Sequence, residues 1–187
     1  MPSDAFEERY ISVDVETAGP YPGRYALLSI GACTLAEHPS TFYVELKPDR
    51  PDSLPEAMTV CQLSLKYLVE NGQDPARAMQ DFEAWLSVQV PSGKRPIFVA
   101  FNAPFDWMFI SDYFYRYLGY NPFGHSALDI KSYFMGLSGV TWKQTSMSEV
   151  GSRYLEREQL AHHALEDALD QAEIFREMLK QKTVHES

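Results

Sequence analysis

From Tyr10 onward apolar and polar residues alternate, with Ile11, Val13 and Val15 on one side and Ser12, Asp14 and Glu16 on the other. That is the period of two that a strand imposes on its side chains. The stretch AGPYPG interrupts the pattern with glycines and prolines, after which RYALLSIGACTL reads as a longer, largely buried strand and TFYVELKP as a third. Strands joined by such short turns run antiparallel, because a parallel pair needs a crossover of about a dozen residues or more. Helical spacing then takes over. Met58, Cys61, Leu65 and Leu68 mark a helix between Pro55 and Gly72, either continuous or broken near Gln62. Asp74 followed by Pro75 signals a capped helix start, and Ala78, Met79, Phe82, Trp85 and Leu86 form a stripe that ends before Pro91. RPIFVAF is a short apolar strand, turned by Asn102-Ala-Pro into a helix over Pro104 to Leu118. SALDI is another short strand, in which Asp129 hands over to a helix near Lys131. A last long helix runs from Ala164 to Lys182, its expected apolar stripe being Leu165, Ala168, Leu169, Ala172, Phe175 and Leu179. Strands first, then strands alternating with helices, predict an α/β protein with a mixed sheet flanked by helices.

No repeat, low-complexity stretch or linker divides the 187 residues, so one domain is expected over 1–187, with its core at about 10–180. Lys and Arg number 16 against 26 Asp and Glu, a formal charge of −10, the wrong sign for holding nucleic acid by bulk charge. Any polyanion must therefore meet a local site. Between Lys131 and Arg157 the balance reverses, with Lys131, Lys143, Arg153 and Arg157 against Glu149 and Glu156, which makes that stretch the candidate phosphate track. Cys33 and Cys61 have no second pair, so they offer neither a zinc spacing nor a disulfide framework. The N-terminal MPSDAFEERY carries acid before any apolar stretch, and no run approaches the roughly 18 apolar residues of a membrane span. A cytoplasmic protein without membrane contact is expected.

Three carboxylate clusters stand out. Period two points Asp14 and Glu16 the same way, and Thr17-Ala18-Gly19 ends their strand in a turn that leaves the pair at a rim. A solvated face of an edge strand would produce the same pattern; a bound cation is the alternative. Asp106 lies among Phe105, Trp107, Met108 and Phe109, where a charge is costly unless paired or metal-bound. A helix-capping role competes with that reading, and Asn102 competes as a simple turn residue. The third cluster is AHHALEDALDQAEIF, in which Asp167 borders the stripe of the last helix. On a continuous helix His163 would share its face with Asp167; a helix that starts only at Ala164 removes that preference over His162. Together the clusters supply what a two-metal phosphodiester site requires, since paired Mg²⁺ ions about 3.5–4 Å apart activate water and stabilise the leaving oxygen. Two divalent ions would also move the net charge from −10 to about −6.

DVETAG, FNAPFD and HHALEDA, in that order, resemble the three exonuclease motifs of the DEDDh group in the ribonuclease T and DNA-polymerase proofreading superfamily. The likeness runs from Tyr10 to Leu179, and within the superfamily DVETAG, ALLSIGA and YNPF are most similar to ribonuclease T. The resemblance implies a ribonuclease-H-like fold with a five-stranded mixed sheet. It also implies that Asp14, Glu16, Asp106 and Asp167 hold two Mg²⁺ ions, with Mn²⁺ an alternative. In the family pattern four residues separate the histidine from the last aspartate, which selects His162 as the general base on the attacking water; a neutral imidazole suits that task near pH 7.

The implied activity is 3′-to-5′ removal of nucleoside 5′-monophosphates from single-stranded 3′ ends, RNA being favoured over DNA. A proofreading-type DNA exonuclease and a catalytically silent binding module are the rivals. Thr17, Ala18, Tyr21, Asn102 and Phe105 are the substrate-side candidates. Phe105 matches an aromatic that stacks on terminal bases in ribonuclease T, although a core role explains it equally. Pro20 and Tyr21 follow the first motif where ribonuclease T has an aromatic directly after the glycine, so either Tyr21 takes over stacking or nothing does. Phe101 stands where relatives often carry histidine, a change that removes no metal ligand. The resemblance also implies a homodimer in which one subunit's basic patch guides substrate to the other's site.

Overall fold

The computed structural model describes residues 8–155 and 162–185, the side chains of 182–185 excepted. Strands β1 (Arg9–Thr17), β2 (Leu27–Thr34) and β3 (Thr41–Glu45) form the expected antiparallel meander. The crossover from β3 to β4 (Pro96–Ala100) carries α1 (Pro55–Cys61), α2 (Leu65–Asn71) and α3 (Pro75–Gln89). Helix α4 (Ala103–Leu118) then leads to β5 (Ala127–Asp129), and α5 (Ile130–Ser138), α6 (Met147–Tyr154) and α7 (Ala164–His185) complete the order. The sheet runs β3-β2-β1-β4-β5, with β4 and β5 parallel to β1, so it is five-stranded and mixed. Strand β1 is therefore the middle strand. The solvated-edge explanation for Asp14 and Glu16 fails on that position alone.

Local chemistry accounts for the helix boundaries. Asp74 accepts hydrogen bonds from the Ala76 and Arg77 amides, and Pro75 opens α3. Of the two readings of Pro55–Gly72 the broken one holds: Gln62, with a φ of 55°, ends α1, and its N–H donates to Met58 O. Ser64 then accepts from the Tyr67 amide to start α2. Helix α6 and the short 3₁₀ turn at Trp142–Thr145 were not expected. Helix α6 buries only Val150 and Gly151, too short a stripe to declare itself by period. Its signal was the Ser146-x-x-Glu149 spacing, and Ser146 does accept from the Glu149 amide.

The two sheet faces differ in chemistry. Ile11, Val13 and Val15 pack with Phe82 of α3 and Phe109, Ile110 and Phe114 of α4 in one core. The other face carries Ser12, Asp14 and Glu16 of β1 beside Ser29, Gly31 and Cys33 of β2, and α7 lies across it. The first half of α7 therefore turns small and polar residues inward, while Ile174, Phe175 and Met178 further along pack with Val99, Ile130, Phe134 and Val150. The helix buries Ala164, Ala168, Asp170, Gln171, Ala172, Ile174, Phe175 and Met178, so of the expected stripe Ala168, Ala172 and Phe175 face inward, whereas Leu165, Leu169 and Leu179 are only partly buried. The closest approach is at Gly31, where a Cβ would fall 2.1 Å from the Ala164 carbonyl carbon. On the opposite face the Tyr113 hydroxyl accepts from the Leu27 amide at 2.9 Å and donates to Asp49, which also takes Arg116 and Tyr117. That network ties α4 to the start of β2, next to the register shift at Glu16/Thr17. Among the described residues no helix is long and apolar enough to cross a membrane.

Gly31→Ala is expected to destabilise the protein by about 1–3 kcal/mol, because the obstruction is helix backbone that no side-chain rotation can relieve. Gly136→Ala on α5, where a Cβ meets nothing within 4 Å, is the control and should gain about 0.5–1 kcal/mol. Urea unfolding of the two variants checks both signs.

Candidate active site

Each carboxylate arrives on a different structural argument. Asp14 and Glu16 project from the polar face of β1 toward α7. Asp106 lies in the first turn of α4, 4 % exposed, and it does not cap that helix: the N-cap is Asn102, which makes no side-chain cap bond. Instead Asp106 Oδ1 accepts the Val15 amide at 3.1 Å, locking α4 to β1 between Asp14 and Glu16. Asp167 comes from the first turn of α7, its amide donating to His163 O at 2.9 Å.

The four acids converge. Burial first, then the charges of Asp106, Asp167 and Glu16, push the Asp14 carboxyl well above its ordinary range, while a bond from Gln171 lowers it. Burial and then Glu16 and Asp129 raise Asp106, opposed by bonds from its own amide and that of Val15. Glu16 is pushed up to about 7 by burial and then Asp167. Asp167 is pushed up to about 6, chiefly by burial, with the two histidines pulling the other way.

The two histidines part company. His162 takes a φ of 43°, and its imidazole nitrogen lies within 4.8 Å of ligand oxygens of Glu16 and Asp167, which lie as close to each other. His163 instead stacks on Tyr43 of β3, with ring centroids 4.6 Å apart and planes 24° from parallel. A group of carboxylates with one imidazole at its open end has the oxygen donors to hold divalent cations.

The substrate-side candidates spread around this cluster. Thr17 is buried and donates its hydroxyl to Gly19 O at 2.9 Å; Ala18 is buried, its amide donating to Ala26 O and its carbonyl accepting from the Leu54 amide. Tyr21 is 46 % exposed and stands edge-on to Tyr25. Asn102 is exposed in the left-handed region at φ 66°, and Phe105 is partly buried against Phe109. Of the expected phosphate track, Lys131 sits over the Trp142 ring and Arg153 over Phe134, while Arg157 lies outside the described residues. Cys33 is buried, its thiol pushed up to about 12, so it offers no nucleophile.

Two residues escaped the sequence reading. Gln171 donates from Nε2 to Asp14 Oδ1 at 2.7 Å and accepts the Phe101 amide on Oε1 at 2.9 Å. Asp129 accepts the Ala103 amide at 2.8 Å and caps α5 through Ser132. The turn ahead of Asp106 is thus held on both sides of Asn102. Gln171 falls four residues after Asp167, on the same helix face, a spacing that was visible in the sequence.

A ribonuclease-H-like sheet with ordered Asp-x-Glu, Asp and His…Asp motifs meeting on one face defines a 3′-5′ exonuclease of the DEDDh type. The backbone is similar to the nuclease domain of 3′hExo, a DEDDh family member bound to rAMP, at a TM-score of 0.76 and 13 % identity, covering 96 % of this chain and 95 % of that one. It is similar as well to Escherichia coli Exonuclease I in complex with a dT13 oligonucleotide, at 0.72 and 18 %, covering 96 % of this chain and 43 % of the other. Over residues 9–179 the chain matches the model of the Rv2179c-like 3′-5′ exoribonuclease domain, and it belongs to that family. It is 48 % identical over 170 residues, 91 % of each chain, to the 3′-5′ DNA exonuclease Cap18 of Escherichia coli.

The raised acids give a signed pH dependence. Unfolded, Glu16 and Asp167 ionise near 4.5 and 3.8; folded and without cations they hold their protons to about 7 and about 6. Between those limits the native chain binds more protons than the unfolded one, so stability falls as pH rises, and the loss is complete above the folded values. In EDTA, urea unfolding should therefore show lower stability at about pH 8 than at about pH 5, and Glu16→Gln should flatten the slope.

Proposed function

We propose that the protein is a divalent-metal-dependent 3′-to-5′ exonuclease that removes nucleoside 5′-monophosphates one at a time from single-stranded 3′ ends. The supporting observation is the convergence of Asp14, Glu16, Asp106 and Asp167, with His162 beside two of them. The donor set fits hard cations: it is all carboxylate oxygen, and the like charges that raise one another's pKa are those a divalent ion would stabilise. Asp14, Glu16, Asp106 and Asp167 would hold Mg²⁺ or Mn²⁺, which when bound supplies an acidified water and neutralises charge on the phosphoryl oxygens.

The protein's own part is proton transfer and positioning. One imidazole nitrogen of His162 takes the proton from the attacking water, whose oxygen bonds to phosphorus as the bond from phosphorus to the 3′ oxygen breaks. The 3′ oxygen leaves and is protonated by solvent. The products are a nucleoside 5′-monophosphate and a strand with a new 3′ hydroxyl. Phe105 and Tyr21 are the faces on which terminal bases would stack, a contact worth about 1–3 kcal/mol per base on any sequence.

DNA is the substrate we favour, on the 48 % identity to a relative named a DNA exonuclease. The family model's description as an exoribonuclease domain supports RNA as the second reading.

End-labelled single-stranded DNA and RNA of one sequence, incubated with Mg²⁺ and then with EDTA, test this directly. Mononucleotides should appear in Mg²⁺, faster from DNA, and none in EDTA. Asp14→Ala should abolish release, and His162→Ala should slow it about 10²–10⁴-fold. His163→Ala should stay within about tenfold of wild type, because a ring stack of about 0.5–1.5 kcal/mol is all it removes. A mononucleotide ladder that persists undiminished in EDTA would overturn the metal-dependent reading.

A further inference from the structure

Gln171 is 3 % exposed and spends both ends of its side chain. The Phe101 amide can only donate, so the oxygen of the carboxamide must face it, and the NH₂ must face Asp14. The two bonds, at 2.9 and 2.7 Å, link the turn between β4 and α4 to the carboxylate in the middle of β1. Asp106 hangs from the same α4 start and from the Val15 amide, and Asp167 precedes Gln171 by one helical turn. One buried amide thus spans the three elements that deliver the acids.

We propose that Gln171 is a positioning residue of the exonuclease centre, fixing Asp14 Oδ1 so that the direction of that carboxylate is set by α7 and the Phe101 backbone before any cation arrives. This rests on the metal-dependent reading above. Asp14 would otherwise sit among three like charges with rotational freedom about its side chain, and each cation would have to order it on binding. Partners of this kind around a ligand are worth about 10–100-fold in metal affinity or activity. The role belongs to the ground-state site and not to substrate capture.

The test uses the full chain, with Mn²⁺ as the probe. Gln171→Met keeps the volume and removes both bonds. Expected are an Mn²⁺ dissociation constant raised about tenfold or more by calorimetry, and kcat on a single-stranded oligonucleotide lowered about 10–100-fold, with KM within about twofold. Gln171→Glu keeps an acceptor for the Phe101 amide and turns the Asp14 bond into a repulsion, so its kcat should fall similarly while its fold is retained. That variant decides the matter if Gln171→Met fails to fold. A purely structural role would lower the melting temperature in EDTA and leave Mn²⁺ affinity and kcat of the folded fraction unchanged. Wild type that binds Mn²⁺ while the folded variants match its kcat, and Gln171→Met its affinity, overturns the role of Gln171 alone. Wild type that binds no Mn²⁺ overturns the metal reading and this inference with it.

Discussion

The close seating of α7 on β1 and β2 is the constraint on which the rest of the molecule turns. A helix ordinarily meets a sheet through large apolar side chains, which hold the two backbones well apart. Here the strands offer Ser12, Ser29, Gly31 and Cys33, and the helix answers with Ala164 and Ala168. The Cys33 thiol reaches the Ala168 carbonyl at 3.4 Å. Because the gap is small, short acidic side chains from β1 and α7 meet directly. A bulky interface would have kept Asp167 away from Asp14 and Glu16 and left three isolated acids.

That geometry sets electrostatics against packing. Two carboxylates in the middle strand, one in a buried helix turn and one in α7 repel one another, and burial removes the water that would screen them. The surrounding donors soften this only in part: Val15 serves Asp106 and Gln171 serves Asp14. The apolar side of the sheet compensates. Phe82 stacks between Phe42 and Phe114, and Phe98 meets Trp107 and Phe123 edge-on, a dense aromatic layer beneath the strand that carries the acids. The arrangement shows a division of labour in which one face of one strand supplies cohesion and the other supplies chemistry.

Much of this was legible from residue order. The meander, the capped α3 and the strand-to-helix turn before Asp106 follow from period, proline and glycine, which act locally. The convergence of the acids was legible only through motif resemblance, since nothing local says that positions 14 and 167 meet. The inward face of α7 was read only in part for the same reason. Ala168, Ala172 and Phe175 of the expected stripe do turn inward, but the polar, crowded partner face draws in Ala164 and Gln171 and leaves Leu165, Leu169 and Leu179 only partly buried. Helix geometry alone did not separate His162 from His163, and only the family spacing favoured His162; in the fold the ring of Tyr43, on a strand more than a hundred residues earlier, holds His163 aside.

The order of the chain has one further consequence. Asp14, Glu16 and Asp106 are carried by β1 and α4, but Asp167 enters only with α7, after α5 and α6 have intervened. A chain cut ahead of α7 therefore holds the three earlier acids without Asp167. Assembly of the acidic cluster is thereby tied, through topology, to the docking of the final described helix.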